Sequence, residues 1–149
     1  MNIINRILAT NDNTGSLLLR LFIGIVFIAH GAQKLFGWFG GYGLEATSQW
    51  LASIGFEPSY LLAVLAGSAE FFGGIALLLG IATRPAALLT AFTMLIAIFT
   101  HLEKGFFAMN GGYEYALILM ISSLTLVIQG AGRFSIDSYL ARKLPCYRH

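Results

Sequence analysis

The 149-residue chain has little charge, little proline and a single cysteine. Only 11% of its residues are charged and 57% are hydrophobic, whereas about 25% of the residues in soluble domains are charged. A lone cysteine, Cys146, excludes an internal disulfide and a Cys-x-x-Cys redox motif. The net charge of +2 is too small and too dispersed for nucleic-acid binding. These deficits argue against an ordinary soluble domain, against thiol–disulfide catalysis by this chain alone and against a nucleic-acid partner.

Long apolar runs take the place of the missing charge. About 20 helical residues cross the ~30 Å hydrocarbon core of a bilayer. Four runs approach that length, at 17–36, 60–80, 86–101 and 114–128. Between the first two, residues 44–54 have apolar side chains near one helix face, which predicts a short helix on the membrane surface. The sequence therefore predicts an all-α integral membrane bundle of four transmembrane helices with one interfacial helix, forming a single domain over 1–149.

The termini and the placement of basic residues predict how this bundle is oriented. The N-terminus lacks the succession of charged, apolar and small residues that marks a cleaved signal peptide. We therefore interpret the first apolar run as a retained transmembrane helix, with Ser16 as its N-cap. Four spans put both termini on one side with seven of the nine Lys and Arg residues, whereas Lys34 and Lys104 lie on the other side. The positive-inside rule then places both termini and the basic tail 133–149 in the cytoplasm. Arg20 and Arg84 are interpreted as determinants of this topology.

Glu70 is the only ionisable residue in the second apolar run. Its carboxyl group lies near the middle of the membrane by helix rise, where it costs several kcal/mol unless it is paired or protonated. Small residues surround it in the stretch Gly67-Ser68-Ala69-Glu70-Phe71-Phe72-Gly73-Gly74. Small side chains let neighbouring helices approach closely. This stretch therefore predicts a tight helix contact around one costly polar group.

The predicted topology brings polar groups from all four spans into the outer half of the bundle. They form a candidate polar pocket of His30, Gln33, Lys34, Glu70, His101 and Glu114. Plainer interpretations stay open: Lys34 snorkels to the headgroups, His101 and Glu114 are solvated, and Glu70 is a structural partner of His30 or Lys34. No His-x-x-x-His or Glu-x-x-His spacing fixes a metal geometry, so we predict no metal site.

Three motifs resemble the DoxX family of bacterial and archaeal membrane proteins. They are Arg20-Leu-Phe-Ile-Gly24, then Phe27-x-x-His30-Gly31-x-x-Lys34-Leu-Phe-Gly37, and Gly67-x-x-Glu70-Phe-x-Gly73-Gly74-x-x-Leu-Leu-Leu-Gly80-x-x-Thr83-Arg84, with Ser135-Ile-Asp137 near the C-terminus. The resemblance covers about 17–140 and implies a four-span bundle in the bacterial cytoplasmic (inner) membrane. The family is named after a subunit associated with thiosulfate:quinone oxidoreductase, and relatives are often labelled quinol oxidoreductases. It therefore implies a redox-associated role with quinone as the expected cofactor.

The leading hypothesis is a subunit of a quinone-linked oxidoreductase in the bilayer. Glu70 and His30 would exchange protons with a quinone or a small anion, and Lys34 would offer positive charge to a ligand oxygen. Electron transfer would need a bound quinone or a redox partner protein, because the chain has no haem or flavin motif. Two other classes stay open: a small proton-coupled transporter or channel, and a membrane scaffold. In the scaffold, the glycine faces Gly24/Gly31 and Gly67/Gly74 would form contacts in a homo-oligomer or with a partner.

Overall fold

The computed structural model describes residues 14–143, and within that range the chain forms helices and turns without β-strands. The α-helices are α1 (Thr14–Phe36), α2 (Gly43–Ser53), α3 (Ser59–Leu79), α4 (Thr83–His101), α5 (Glu114–Gln129) and α6 (Ile136–Lys143). Short 3₁₀ turns occupy Trp38–Gly40, Leu102–Lys104 and Ala108–Asn110. The single-domain organisation over 1–149 stays a prediction, because residues 1–13 and 144–149 lie outside the described part.

Four apolar helices form the membrane bundle. By length and composition α1, α3 and α4 are sufficient to cross a bilayer, and α5 is a shorter apolar helix. The interfacial helix predicted at 44–54 is α2. Together these helices confirm the predicted fold class, and the ends of the spans agree with the sequence to within about three residues, the usual uncertainty of such boundaries.

The start of the first span differs from the expectation. Ser16 lies inside the helix α1, which is described from Thr14 onward, so the prediction that Ser16 caps the helix is wrong. The side chain of Ser16 is buried, and its hydroxyl donates a hydrogen bond to Gln129 at 2.7 Å. A serine one turn inside a helix can serve a neighbouring helix instead of its own backbone. Here it joins the start of α1 to the end of α5.

Glycines bring α1 and α3 into backbone contact. A Cβ atom at Gly31 would lie 2.4 Å from the backbone nitrogen of Phe71, and one at Gly24 would lie 2.9 Å from the carbonyl oxygen of Gly74. A Cβ atom at Gly67 would lie 2.8 Å from the Leu35 side chain. These glycines therefore serve the contact between two helices of one chain, and a homo-oligomer or partner contact stays a prediction.

The two ends of the bundle differ in composition. At the loop end, which we define as the end where α1 and α4 finish, the chain is rich in glycine and aromatic residues (37–42 and 102–113). At the opposite end, which we call the Arg20 end, a short turn connects α3 to α4, and the chain after α5 folds back onto the bundle as α6. The backbone N–H of Asp137 donates to the carbonyl of Gly80 at 2.9 Å. Part of the predicted basic tail is thus a helix packed on the bundle.

Candidate functional site

Glu70 forms an ion pair with Lys34 between α1 and α3. Glu70 lies in the middle of α3 and is 1% exposed. Lys34 lies in the last turn of α1, and its side chain is 31% exposed. The missing side chain of Gly67 lets α1 and α3 approach closely here, because a Cβ atom there would lie 2.8 Å from the side chain of Leu35, the neighbour of Lys34. The glycine contact between α1 and α3 therefore places the ammonium group against the buried carboxylate.

The two members of this pair differ in access to the surface. A buried carboxylate is tolerated when a cation neutralises it and donates a hydrogen bond. The ammonium group of Lys34 does both, while the Lys34 side chain remains 31% exposed. The pair therefore connects a carboxylate in the apolar interior with the outside of the bundle. Such a connection allows proton exchange with a group in the interior.

His30 lies one helical turn before Lys34 and faces α5. Its ring centroid is 5.6 Å from that of Tyr115, and the two rings are tilted by 47°. His30 is half-buried, and Tyr115 is 44% exposed. Residues four apart lie on the same face of a helix. His30 and Lys34 therefore border one side of α1, and Tyr115 adds a phenol group beside them.

Tyr115 is a candidate that the sequence reasoning missed. The predicted pocket contained charged, histidine and amide side chains, whereas tyrosine was interpreted only as an aromatic residue. A usable signal was present, because Tyr115 is the second residue of α5 and follows Glu114, which was selected. If side chains with hydroxyl groups had been selected by their depth in the span, as the charged side chains were, Tyr115 would have been among the candidates.

The other three candidates lie at the loop end. The side-chain amide of Gln33 donates to the carbonyl of Phe39 at 3.3 Å. The Nδ1 atom of His101 lies 2.7 Å from the carbonyl of Ala97, and its ring lies 6.0 Å from that of Trp50 in α2. The carboxylate of Glu114 accepts a hydrogen bond from the backbone N–H of Ala108 at 3.0 Å. The structure thus brings Lys34 and Glu70 together and places Gln33, His101 and Glu114 around the loops. Within residues 14–143, no three His, Cys, Asp or Glu side chains come together as metal ligands do.

A second buried charge lies at the Arg20 end. Arg20 is 1% exposed, and its guanidinium donates hydrogen bonds to four carbonyl oxygens: Leu77 (3.3 Å), Leu78 (2.7 Å), Ala131 (2.9 Å) and Phe134 (2.6 Å). Carbonyls at a helix C-terminus have no partner inside the helix, and a cation satisfies them. Arg20 therefore joins the end of α3 to the segment after α5. The interpretation of Arg20 as a topology determinant did not anticipate these contacts.

Comparison with known proteins assigns the chain to a family. The DoxX profile matches residues 15–102, more than half of the chain. The chain belongs to the DoxX family. The match includes α1, α2, α3 and α4, and therefore both members of the Lys34–Glu70 pair. The predicted family is thereby confirmed.

Several curated DoxX-type relatives are similar over nearly their whole length. The protein named "Putative oxidoreductase CatD" of Bacillus subtilis is 35% identical over 126 residues, which are 85% of this chain and 87% of the relative. Inner membrane protein YqjF of Escherichia coli is 35% identical over 135 residues, which are 89% of this chain and 96% of the relative. An uncharacterized membrane protein of Mycobacterium tuberculosis is 28% identical over 149 residues. No solved structure matches the chain significantly.

Proposed function

We propose that this DoxX protein is a redox-associated membrane subunit that binds a quinone beside the Lys34–Glu70 pair. One observation leads to this proposal: the bundle buries Glu70 completely and neutralises it with a lysine that still reaches the outside. An ionisable pair inside a membrane bundle is a functional hypothesis by default. The name of the Bacillus subtilis relative, an oxidoreductase, supports the same class.

The available donors fit a quinone. A quinone presents two carbonyl oxygens on a flat apolar ring, and it takes up protons together with electrons when it is reduced. The ammonium of Lys34 and the imidazole of His30 are cationic or polar donors for an oxygen. The ring of Tyr115 lies beside His30 and offers an aromatic surface. These residues would bind and orient the ligand at the side of α1 that faces α5.

Proton exchange is the task proposed for the buried groups. Glu70 holds or releases a proton at its carboxylate, and Lys34 stabilises the charge that remains. His30 is the second proton donor, on the same face of α1 as Lys34. Electrons would come from a redox partner protein, since this chain offers no dithiol or haem motif of its own. Gln33, His101 and Glu114 are assigned to the border of the site, where Gln33 and Glu114 contact the loop segments and His101 contacts Trp50 of α2.

The first test is mass spectrometry of the lipid-soluble molecules retained by the full-length protein after purification in mild detergent. We expect wild type to retain a quinone, and Glu70→Gln, His30→Ala and Tyr115→Leu to lose most of it. Glu45→Gln is the matched control, because Glu45 is an exposed glutamate in α2. Added ubiquinone or menaquinone should raise the melting temperature of wild type and not that of Glu70→Gln.

Two results would contradict the quinone proposal. One is that wild type retains no quinone and is not stabilised by added quinone. The other is that Glu70→Gln retains as much quinone as Glu45→Gln. In either case proton flux into liposomes under a pH gradient becomes the next measurement, because a buried titratable pair also suits proton-coupled transport.

We also propose that the Arg20 end faces the cytoplasm, with the protein in the bacterial inner membrane. The seven-to-two distribution of Lys and Arg supports this orientation, and the Escherichia coli relative is named an inner membrane protein. Cys146 is the only cysteine. A membrane-impermeant maleimide should label it in broken cells and not in intact spheroplasts. Met109→Cys in a Cys146→Ser background, at a position 90% exposed at the loop end, should be labelled already in intact spheroplasts.

A further inference from the structure

The segment after α5 exposes one continuous surface at the Arg20 end. On α6, Ile136, Tyr139, Leu140 and Lys143 are all exposed. Their spacing of three and four residues puts them on one side of the helix. Arg133 and Phe134 precede α6 and are exposed as well, with Phe134 at 75%. We call these six residues the α6 face.

The opposite side of the same segment is fixed to the bundle. Asp137 is 2% exposed, and its carboxylate accepts hydrogen bonds from the backbone N–H groups of Ala82 (2.7 Å) and Thr83 (2.8 Å). Arg20 donates to the carbonyls of Ala131 and Phe134. These bonds leave the segment no freedom to rotate its apolar side chains inward. The α6 face therefore stays exposed while the bundle is folded.

Two cations lie directly beside exposed aromatic rings on this face. The guanidinium carbon of Arg133 lies 5.4 Å from the ring centroid of Phe134, and the ammonium of Lys143 lies 4.6 Å from the ring centroid of Tyr139. Asp137 is the only acidic residue between 130 and 143, and its carboxylate already binds two backbone amides. The face thus combines apolar side chains with positive charge and has no exposed acid.

We propose that the α6 face is a binding site for anionic phospholipid headgroups. The ends of α3 and α5 and the starts of α1 and α4 lie at the same end of the bundle, which places α6 at the level of the bilayer surface. A short amphipathic helix at that level inserts apolar side chains among the acyl chains and directs cations to the headgroups. A second copy of this chain is a poor occupant, because two such faces would repel each other. This inference is independent of the quinone proposal.

Lipid selectivity tests the site. The full-length protein, equilibrated with equal amounts of phosphatidylglycerol and phosphatidylcholine, should retain mainly phosphatidylglycerol in native mass spectrometry. Because each basic residue near an anionic surface contributes about 1 kcal/mol, the double variant Arg133→Gln/Lys143→Gln should bind phosphatidylglycerol about thirtyfold more weakly. The control Lys104→Gln removes an exposed charge at the loop end and should keep the selectivity. Unchanged selectivity in the double variant, or equal loss in Lys104→Gln, would overturn the proposal.

Depth measurement provides a second readout that does not depend on charge. In a Trp38→Phe/Trp50→Phe background, Tyr139→Trp introduces a single fluorophore on the α6 face. Lipids brominated on the acyl chain near the headgroup should quench it strongly in phosphatidylglycerol nanodiscs. The site would be refuted if the brominated lipids quench this tryptophan no more strongly than a water-soluble quencher does. It would also be refuted if the protein self-associates through this face and binds no lipid there.

Discussion

Two of the buried charges, those of Arg20 and Glu70, are satisfied in opposite ways. Arg20 is enclosed by backbone and donates to four carbonyl oxygens from α3 and from the segment after α5. Glu70 is equally buried, yet it is paired with a single lysine, Lys34, whose side chain is 31% exposed. A buried charge whose hydrogen bonds are all made rigidifies a fold, whereas a buried charge with one movable partner can change its protonation state. This difference supports the proposal that the Arg20 end is structural and that the Lys34–Glu70 pair takes part in the chemistry.

The largest effect is expected from Arg20→Ala. It leaves buried carbonyls without a donor at the junction of α3 and the segment after α5. With charge-assisted bonds at about 1.5–3 kcal/mol each, the loss in free energy of unfolding should reach about 4 kcal/mol or more. Denaturation in detergent, followed by circular dichroism, measures this loss. Arg133→Ala, an exposed arginine at the same end, should cost little in the absence of anionic lipid. Equal effects of the two variants would remove the structural role of Arg20.

The Lys34–Glu70 pair should respond asymmetrically. Lys34→Met leaves a buried carboxylate without a cation and should cost about 3 kcal/mol near neutral pH. Glu70→Gln leaves a lysine that can extend toward the headgroups, so its cost should be only about 1 kcal/mol. The double variant Lys34→Met/Glu70→Gln should recover much of the loss caused by Lys34→Met. A double-mutant cycle measures this coupling, and additive effects would mean that the pair contributes nothing to folding.

The sequence was informative wherever a residue type was rare in its surroundings. Apolar runs of bilayer length predicted the spans, because few other folds tolerate them. Glu70 stood out as the only charge in its run, and Lys34 was among its expected partners. The glycine pattern predicted close helix contact, and the partner helix at these glycines lies in the same chain.

The contacts of Arg20 could not be predicted in the same way. Its partners are backbone carbonyls, which every residue has, so no side-chain pattern identifies them. The contact also requires the chain after α5 to return to the end of α3, more than 50 residues away in sequence. The position of Tyr115 beside His30 depended likewise on the rotation of α5 about its axis. Sequence periodicity in a helix that is apolar all round does not give that rotation.

Asp137→Ala tests whether the Arg20 end depends on α6. The carboxylate of Asp137 occupies the N-terminus of α4, where side-chain oxygens satisfy free N–H groups. Loss of such a cap costs about 0.5–2 kcal/mol. Hydrogen exchange should rise at the N–H groups of Ala82 and Thr83, and the Lys34–Glu70 coupling energy should be unchanged. Glu103→Ala is an exposed control at the loop end. A changed coupling energy would show that the two ends are not independent.

The smallest effect is expected from Glu114→Gln at the loop end. Its carboxylate accepts one exposed hydrogen bond from the N–H of Ala108, and the backbone of Glu114 is separately held by the carbonyl of Phe106. Exposed bonds of this kind contribute at most about 1 kcal/mol. Global stability should therefore stay the same, while the amide of Ala108 exchanges faster with solvent. Quinone retention separates the two interpretations of Glu114: a residue that only holds the loop leaves retention unchanged, and a residue that contacts the ligand lowers it as Glu70→Gln does. Because the loop end has no enclosed network like that of Arg20, a local change there should remain local.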